Sequence, residues 1–269
     1  MTPPISPDAV SEFARVLLAS ESDREDRERL TIANPELTMA DGYLIQEALI
    51  EQKVADGETV IGVKLGLTSR AKQQRMGIDE PLTAVLTDKM MIGVGEALDV
   101  STVIHPRVEP EIVFVMEREL RGPGITAAQA MAAVGRAHAG LEVIDSRYRD
   151  FDFRMPDVVA DNASSARFVA GGDGVSPEGL DLVLEACVLT KNGRVVDTAT
   201  GAAVMGHPGE ALALAANALG ARGEAIPAGA IVLTGGMTDA VPVAPGDIIG
   251  VTFTNLGGLE LRVVGPAAD

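Results

Sequence analysis

The sequence predicts an α+β fold: an N-terminal helical region, residues 1–58, laid on a larger β domain, residues 59–269, that is mixed but mostly antiparallel. Three observations carry this. Two capped, amphipathic segments precede residue 58; from residue 59 the apolar pattern changes to period two and is rich in Val and Ile; and Gly and Pro punctuate it at turn spacing. With 269 residues, 46% of them hydrophobic, the chain has material for one large domain or a small domain packed on a larger one.

The first helix is "SPDAVSEFARVLLAS". Ser6 caps it, Pro7 takes the first helical position, and Val10, Phe13, Ala14, Leu17 and Leu18 form one stripe. The mixed-charge run "ESDREDRERLT" reads as an exposed helix end or loop. A second helix, "TMADGYLIQEALIEQKVADG", opens with Thr38 and Asp41 at capping-box spacing and closes at Gly57. Within the β domain, helices are expected over "TAAQAMAAVGRA", from Thr126, and over "HPGEALALAANALGARG", where Pro208 and trailing glycines mark start and stop. "VLTKNGRVVDT" is a hairpin turning at Asn192-Gly193, and "VAPGDIIGVTFTNLGGLELRVV" supplies two final strands.

Composition excludes several classes of function. Lys+Arg 22 against Asp+Glu 39 leaves a net charge of −17, which repels nucleic acid and anionic lipid. Trp is absent and aromatics are 3%, so platforms for stacking bases are missing. No run of 18 apolar residues and no basic-then-apolar leader is present, and the cytoplasm is the expected setting. The single Cys187, in the apolar "LEACVLT", has no partner for an internal disulfide and reads as core.

Chemistry concentrates in "RVEPEIVFV". Side chains alternate along a strand, so Val108, Pro110, Ile112 and Phe114 form one row while Arg107, Glu109, Glu111 and Val113 form the other. Two carboxylates that close repel, and something positive belongs between them. Glu142, in the strand-like "AGLEVIDSRY", offers a third. Three carboxylates suit Mg²⁺ or Mn²⁺, whereas zinc prefers His or Cys. The alternative is that these acids face solvent or pair with Arg107 and Arg147, and on spacing alone that is the commoner fate of such residues.

A second strand, "TVIGVKLGLT", sets Lys64 between Gly62 and Gly66 on one face. Glycines inside a strand mark close approach of a ligand or another backbone; the alternative is a snorkelling surface lysine. "DNASSARF" offers the small polar residues Asn162, Ser164 and Ser165. "TGGMTDA" offers loop amides at Gly235, Gly236 and Thr238 for a carboxylate, and an ordinary turn is the alternative for both. His105 and His207 read as a strand entry and a helix start. No Ser-His-Asp set, Cys-His set or phosphate loop is present.

From about residue 38 to the end, "GVKLGLTS", "PRVEPEIVFV", "LEVIDSRY", "VADNASSARFV", "GAAVMGHP" and "LTGGMTDAVPVAPGD" follow in order. On these stretches the chain resembles the 2-hydroxypentadienoate hydratase and 4-oxalocrotonate decarboxylase group of the fumarylacetoacetate hydrolase superfamily. The resemblance implies that superfamily's mixed β roll, Mg²⁺ or Mn²⁺ bound by Glu109, Glu111 and Glu142, and Lys64 as a catalytic group beside the substrate. Hydratases of the group carry an acid in a stretch like "EPDYG" or "QPDFG"; here the stretch is "DEPLTAV" and the position is Leu82. Thr83 and Ala84 likewise depart from the aromatic-Gly pair usual in both branches.

Leu82 in place of that acid, with "DNASSARF", favours the decarboxylases. The expected reaction is loss of CO₂ from 2-oxo-3-hexenedioate to give 2-oxo-4-pentenoate. Leu82, Arg107, Ser164, Gly235, Gly236 and Thr238 are expected around the substrate. The runners-up are a 2-hydroxypenta-2,4-dienoate hydratase and a subunit that stabilises one. Acylpyruvate hydrolysis is disfavoured, since no Glu-His pair for activating water is apparent. A complex with such a hydratase and a homo-oligomer are the expected assemblies.

Overall fold

The computed structural model describes residues 5–69, 73 and 81–266; Asp79 and Glu80 of "DEPLTAV", like residues 1–4, lie outside them. Its helices are α1 (Pro7–Asp23), α2 (Leu30–Ala33), α3 (Met39–Ala55), α4 (Ala127–Met131), α5 (Met155–Ala160) and α6 (Pro208–Ala221). Its strands are β1 (Val60–Gly66), β2 (Leu82–Thr87), β3 (Ala97–Asp99), β4 (Arg107–Met116), β5 (Val134–Ile144), β6 (Ser165–Ala170), β7 (Ala186–Lys191), β8 (Arg194–Thr200), β9 (Ile231–Leu233), β10 (Val241–Pro242), β11 (Ile248–Phe253) and β12 (Gly258–Val264). The class is α+β, as expected.

The helical layer forms for the local reasons its sequence contains. Ser6 Oγ accepts from the Ala9 amide at 3.2 Å with Pro7 at the first helical position. Thr38 and Asp41 make the reciprocal capping box, at 3.2 Å and 2.9 Å. Ala14 and Leu17 of α1 pack with Ile45 and Leu49 of α3 on Tyr148 and Ala160, which fastens the layer to the β domain. Each large aliphatic buried this way contributes about 1.5–3 kcal/mol.

Two sheets form the body. One runs β2-β1-β9-β4-β5-β6 with β10 also on β4; the other runs β3-β12-β11-β7-β8. Among the described strands, β1–β9 and β3–β12 pair in parallel and the remaining pairs are antiparallel. Ile112, Phe114, Leu141 and Val143 of the first sheet share one core with Leu189, Ile249, Val251 and Leu261 of the second. Cys187 is buried there, and burial pushes its thiol up to about 11. The hairpin turns at Asn192 and Gly193 with φ of 54° and 75°, the pair of left-handed residues a type I′ turn requires.

One expected helix is largely a strand. The Thr126–Gln129 capping box starts α4, but it ends at Met131 and β5 begins at Val134. β5 pairs with β4 from Val134 opposite Met116 to Ile144 opposite Arg107, and that pairing overrides the helix preference of an alanine-rich run.

Candidate metal centre and active site

β4 has one row in the core and the other turned to the site. Val108, Ile112 and Phe114 are fully buried between the sheets. On the other face, Glu109 stands directly opposite Glu142 of β5, and Glu111 is two residues along. Opposed residues of an antiparallel pair project to the same side, so the three carboxylates converge. One oxygen from each lies within 4.8 Å of the others. Ligands at the usual Mg–O length of about 2.0–2.1 Å are roughly 3–4 Å apart, so only a slight contraction closes the set around an ion.

Pro110 is tolerated in this central strand because no strand meets β4 there on the edge opposite β5. β10 covers Arg107 and Val108, β9 covers Val113 to Val115, and between them the loop after β9 takes over. The Met237 amide donates to the Pro110 carbonyl at 2.9 Å and the Thr234 amide to Ile112 at 3.3 Å. The N–H and carbonyl of one residue leave a strand on the same side, so the donor proline lacks would have faced this loop.

The same loop buttresses the acids. Gly235, at φ 109°, donates its amide to Glu111 Oε2 at 2.7 Å, and a Cβ on Gly236 would lie 2.0 Å from Glu109 Oε2. Gly235 therefore serves a glutamate with the amide expected for substrate. Thr238 Oγ1 donates to the Asp239 carbonyl at 3.0 Å.

Burial holds the Glu111 carboxyl well above the usual range, the neighbouring Glu142 and Glu109 carboxylates raise it further, and the Gly235 hydrogen bond opposes them. Lys64 Nζ sits 2.7 Å from Glu142 Oε1 with both side chains buried, so this is no surface lysine. Glu111 Oε1 is buried with no hydrogen-bond partner. An unmet acceptor among converging carboxylates is what a hard, oxygen-ligated divalent ion satisfies, and the residues fit Mg²⁺ or Mn²⁺. Neither expected arginine neutralises the acids among the described residues: Arg147 pairs with Asp161, and the Arg107 guanidinium lies 4.0 Å over the Phe151 ring.

A cavity of about 160 Å³ opens onto these groups. Lys64, Glu109, Glu142, Ser164, Gly236 and Leu82 line it, so six of the expected site residues meet there. Glu111 lies behind in the acidic group, while Arg107, Gly235 and Thr238 are outside the lining. Gly62 is required by a neighbouring backbone, since its Cβ would fall 2.0 Å from the Ile231 carbonyl oxygen across β1–β9. Gly66 faces Ala163 and Leu82 and leaves the cavity open. Leu82 packs on Val158 and Val159. Thr83 turns the other way, accepting from Arg222 Nη2 at 2.9 Å.

The sequence reading missed the apolar wall of Ile144, Phe151, Phe153 and Val158. One signal was available: two of only six phenylalanines fall together in "RDFDFRM". It also missed Asp161, which accepts from Arg147 and from Ser164 Oγ at 3.3 Å. Burial pushes this carboxyl up to about 6 against the charge and hydrogen bonds of Arg147.

Residues 59–264 match the fumarylacetoacetate (FAA) hydrolase C-terminal family. The chain is 44% identical over 257 residues to the 4-oxalocrotonate decarboxylase of Pseudomonas sp. (strain CF600), covering 96% of this chain and 97% of that one. It is 38% identical over 235 residues to the 2-hydroxyhexa-2,4-dienoate hydratase of Comamonas testosteroni, with coverage of 87% and 89%. Among solved structures, the 4-oxalocrotonate decarboxylase from Pseudomonas putida G7 complexed with magnesium and adipate superposes with a TM-score of 0.95 at 42% identity, covering 98% of this chain and 100% of that one. A family signature across most of the β domain, and a fold shared end to end with a decarboxylase that holds magnesium, lead to one assignment: this chain belongs to the fumarylacetoacetate hydrolase family.

Proposed function

We propose that the chain is a metal-dependent carboxy-lyase converting 2-oxo-3-hexenedioate (4-oxalocrotonate) to 2-oxo-4-pentenoate, or its enol 2-hydroxypenta-2,4-dienoate, and CO₂ in the meta-cleavage catabolism of aromatic compounds. One observation carries the choice of reaction. The wall beside Lys64 presents Leu82, Phe153 and Val158 where a hydratase of the family would present an acid. Decarboxylation needs no base to begin. The C5–C6 bond breaks, its electrons pass along the conjugated chain to the C2 oxygen, and one proton completes the enol.

Mg²⁺ or Mn²⁺ held by Glu109, Glu111 and Glu142 would supply Lewis acidity toward the 1-carboxylate and 2-oxo group. Lys64, with its Nζ on Glu142, stabilises the developing charge or delivers the proton, a role usually worth about 10²- to 10⁴-fold. Leu82 and the phenylalanines keep water from the diene and disfavour a charged carboxylate before it leaves. Ser164 and Gly236 face substrate oxygens, Gly235 and Thr238 support that loop, and Arg107 on Phe151 puts a cation beside the cavity for a dianionic substrate.

The same reading treats residues 1–58 as a helical region on a catalytic domain of 59–269. It places the protein in the cytoplasm as a homo-oligomer that passes its product to a hydratase partner. No helix among the described residues is long and apolar enough to cross a membrane. The test supplies 2-oxo-3-hexenedioate and 2-hydroxypenta-2,4-dienoate separately with Mg²⁺. CO₂ from the first and no 4-hydroxy-2-oxopentanoate from the second is expected; the reverse result assigns a hydratase. An isolated chain inactive on both, but raising the stability of a hydratase, would be a partner subunit.

A further inference from the structure

Behind the cavity the backbone takes an uncommon course. Asn162, Ala163 and Ser164 are consecutive non-glycine residues with φ of 47°, 50° and 57°, and all three are buried. Residues with a Cβ visit the left-handed region singly, and a run of three persists only where its surroundings over-determine it. Here the restraint comes from both ends. Arg147 donates through Nε to the Asp161 carboxylate, through Nη2 to the Asp161 carbonyl and through Nη1 to the Ser165 carbonyl, the last at 3.0 Å. One rigid guanidinium thus ties the residue before the run to the residue after it. At the first residue of the run, the Asn162 side chain accepts from the Val85 amide and donates to the Val85 carbonyl, both at 2.8 Å, which anchors the run to β2.

Ala163 and Ser164 line the cavity. Ser164 Oγ donates to Asp161 Oδ2 at 3.3 Å, long against the roughly 2.7–2.8 Å of an ordinary O–H···O bond. A hydroxyl has one proton to give. While that proton points to Asp161, only lone pairs face the cavity, and these repel an anion. Turned outward, the same hydroxyl donates to a carboxylate oxygen, while Asp161 keeps its Arg147 donors.

We propose that Arg147, Asp161 and Asn162 are positioning residues that lock 162–164 in the left-handed conformation, so that Ser164 Oγ faces the cavity and switches its hydrogen bond from Asp161 to a substrate carboxylate. This rests on the reading of the cavity as the 2-oxo dicarboxylate site.

A double-mutant cycle tests it. In the Mg²⁺-loaded chain, Arg147→Lys keeps the charge but loses the fork, and kcat/KM for 2-oxo-3-hexenedioate should fall by about tenfold, mostly through KM. In a Ser164→Ala background the same substitution should change kcat/KM by less than about twofold, because the group it positions is gone. Equal losses in both backgrounds would overturn the proposal.

Ala163→Gly gives an independent measurement if Arg147→Lys does not fold. Glycine takes positive φ without strain, so its Tm should rise while kcat/KM falls in the Ser164 chain only. An unchanged kcat/KM, or the same loss without Ser164, would overturn the proposal. A wild-type chain that turns over nothing fails the reaction reading alone; the cycle is then scored on calorimetric affinity for adipate, where equal losses again overturn the positioning role. A wild type that does not bind adipate overturns both.

Discussion

Lys64 and Glu142 form an ion pair with almost no access to water, so removing one partner strands the other beside Glu111. For Lys64→Met we expect a loss of about 10²–10⁴ in kcat at saturating Mg²⁺. The metal-free chain should also lose ~3–5 kcal/mol of stability, the usual cost of breaking a buried pair from one side, as read by urea unfolding. A surface lysine would show neither effect. At this scale the sequence showed which acids share a face, because strand alternation is a local rule and Glu109 and Glu111 obey it. It could not show that Arg147 belongs to Asp161 instead of the glutamates, because which cation meets which acid is decided by packing between elements. Nor could it show that the Gly235 amide serves Glu111, since 124 residues separate them.

Among the elements, α3 depends on a single carboxylate at its start. Burial works against ionisation of Asp41, yet hydrogen bonds from the Thr38 hydroxyl, the Thr38 amide and the Ile5 amide hold its carboxyl below the usual range. A folded value below the unfolded one means stability present above the unfolded pKa, about 3.9, and lost as pH falls through the lower folded value. Asp41→Asn should therefore cost about 1 kcal/mol near neutrality, and the gap in Tm from wild type should close as pH drops below about 4. Thermal scans across that range check it. Such caps were legible because their residues lie three apart in sequence. The stretch from Val134 was not, since what makes it a strand is β4, upstream beyond a turn and a short helix.

For the molecule as a whole, the acids at the centre of the first sheet are a source of instability until an ion joins them. Saturating Mg²⁺ should raise Tm, and at a hundredfold excess over Kd the gain corresponds to ~2.7 kcal/mol. A chelator should reverse it, and a chain in which all three glutamates are replaced by glutamine should show no such shift. The mostly antiparallel β body and its helical layer could be read from periodicity and punctuation; its division into two sheets could not. The closing of a cavity by Phe151, Phe153 and Val158 could not, because apolar residues in a loop and a short helix carry no period that points them inward. The gap between β9 and β10 has a further consequence. Where β4 lacks a strand neighbour on that edge, the ladder is darned by a few loop hydrogen bonds, one of them anchored on a prospective ligand, Glu111. Unfastening that patch exposes the carboxylates to solvent without unzipping either sheet. Amide exchange at Thr234, Gly235 and Met237 should accordingly quicken in the chelated protein, while the β4–β5 amides stay protected.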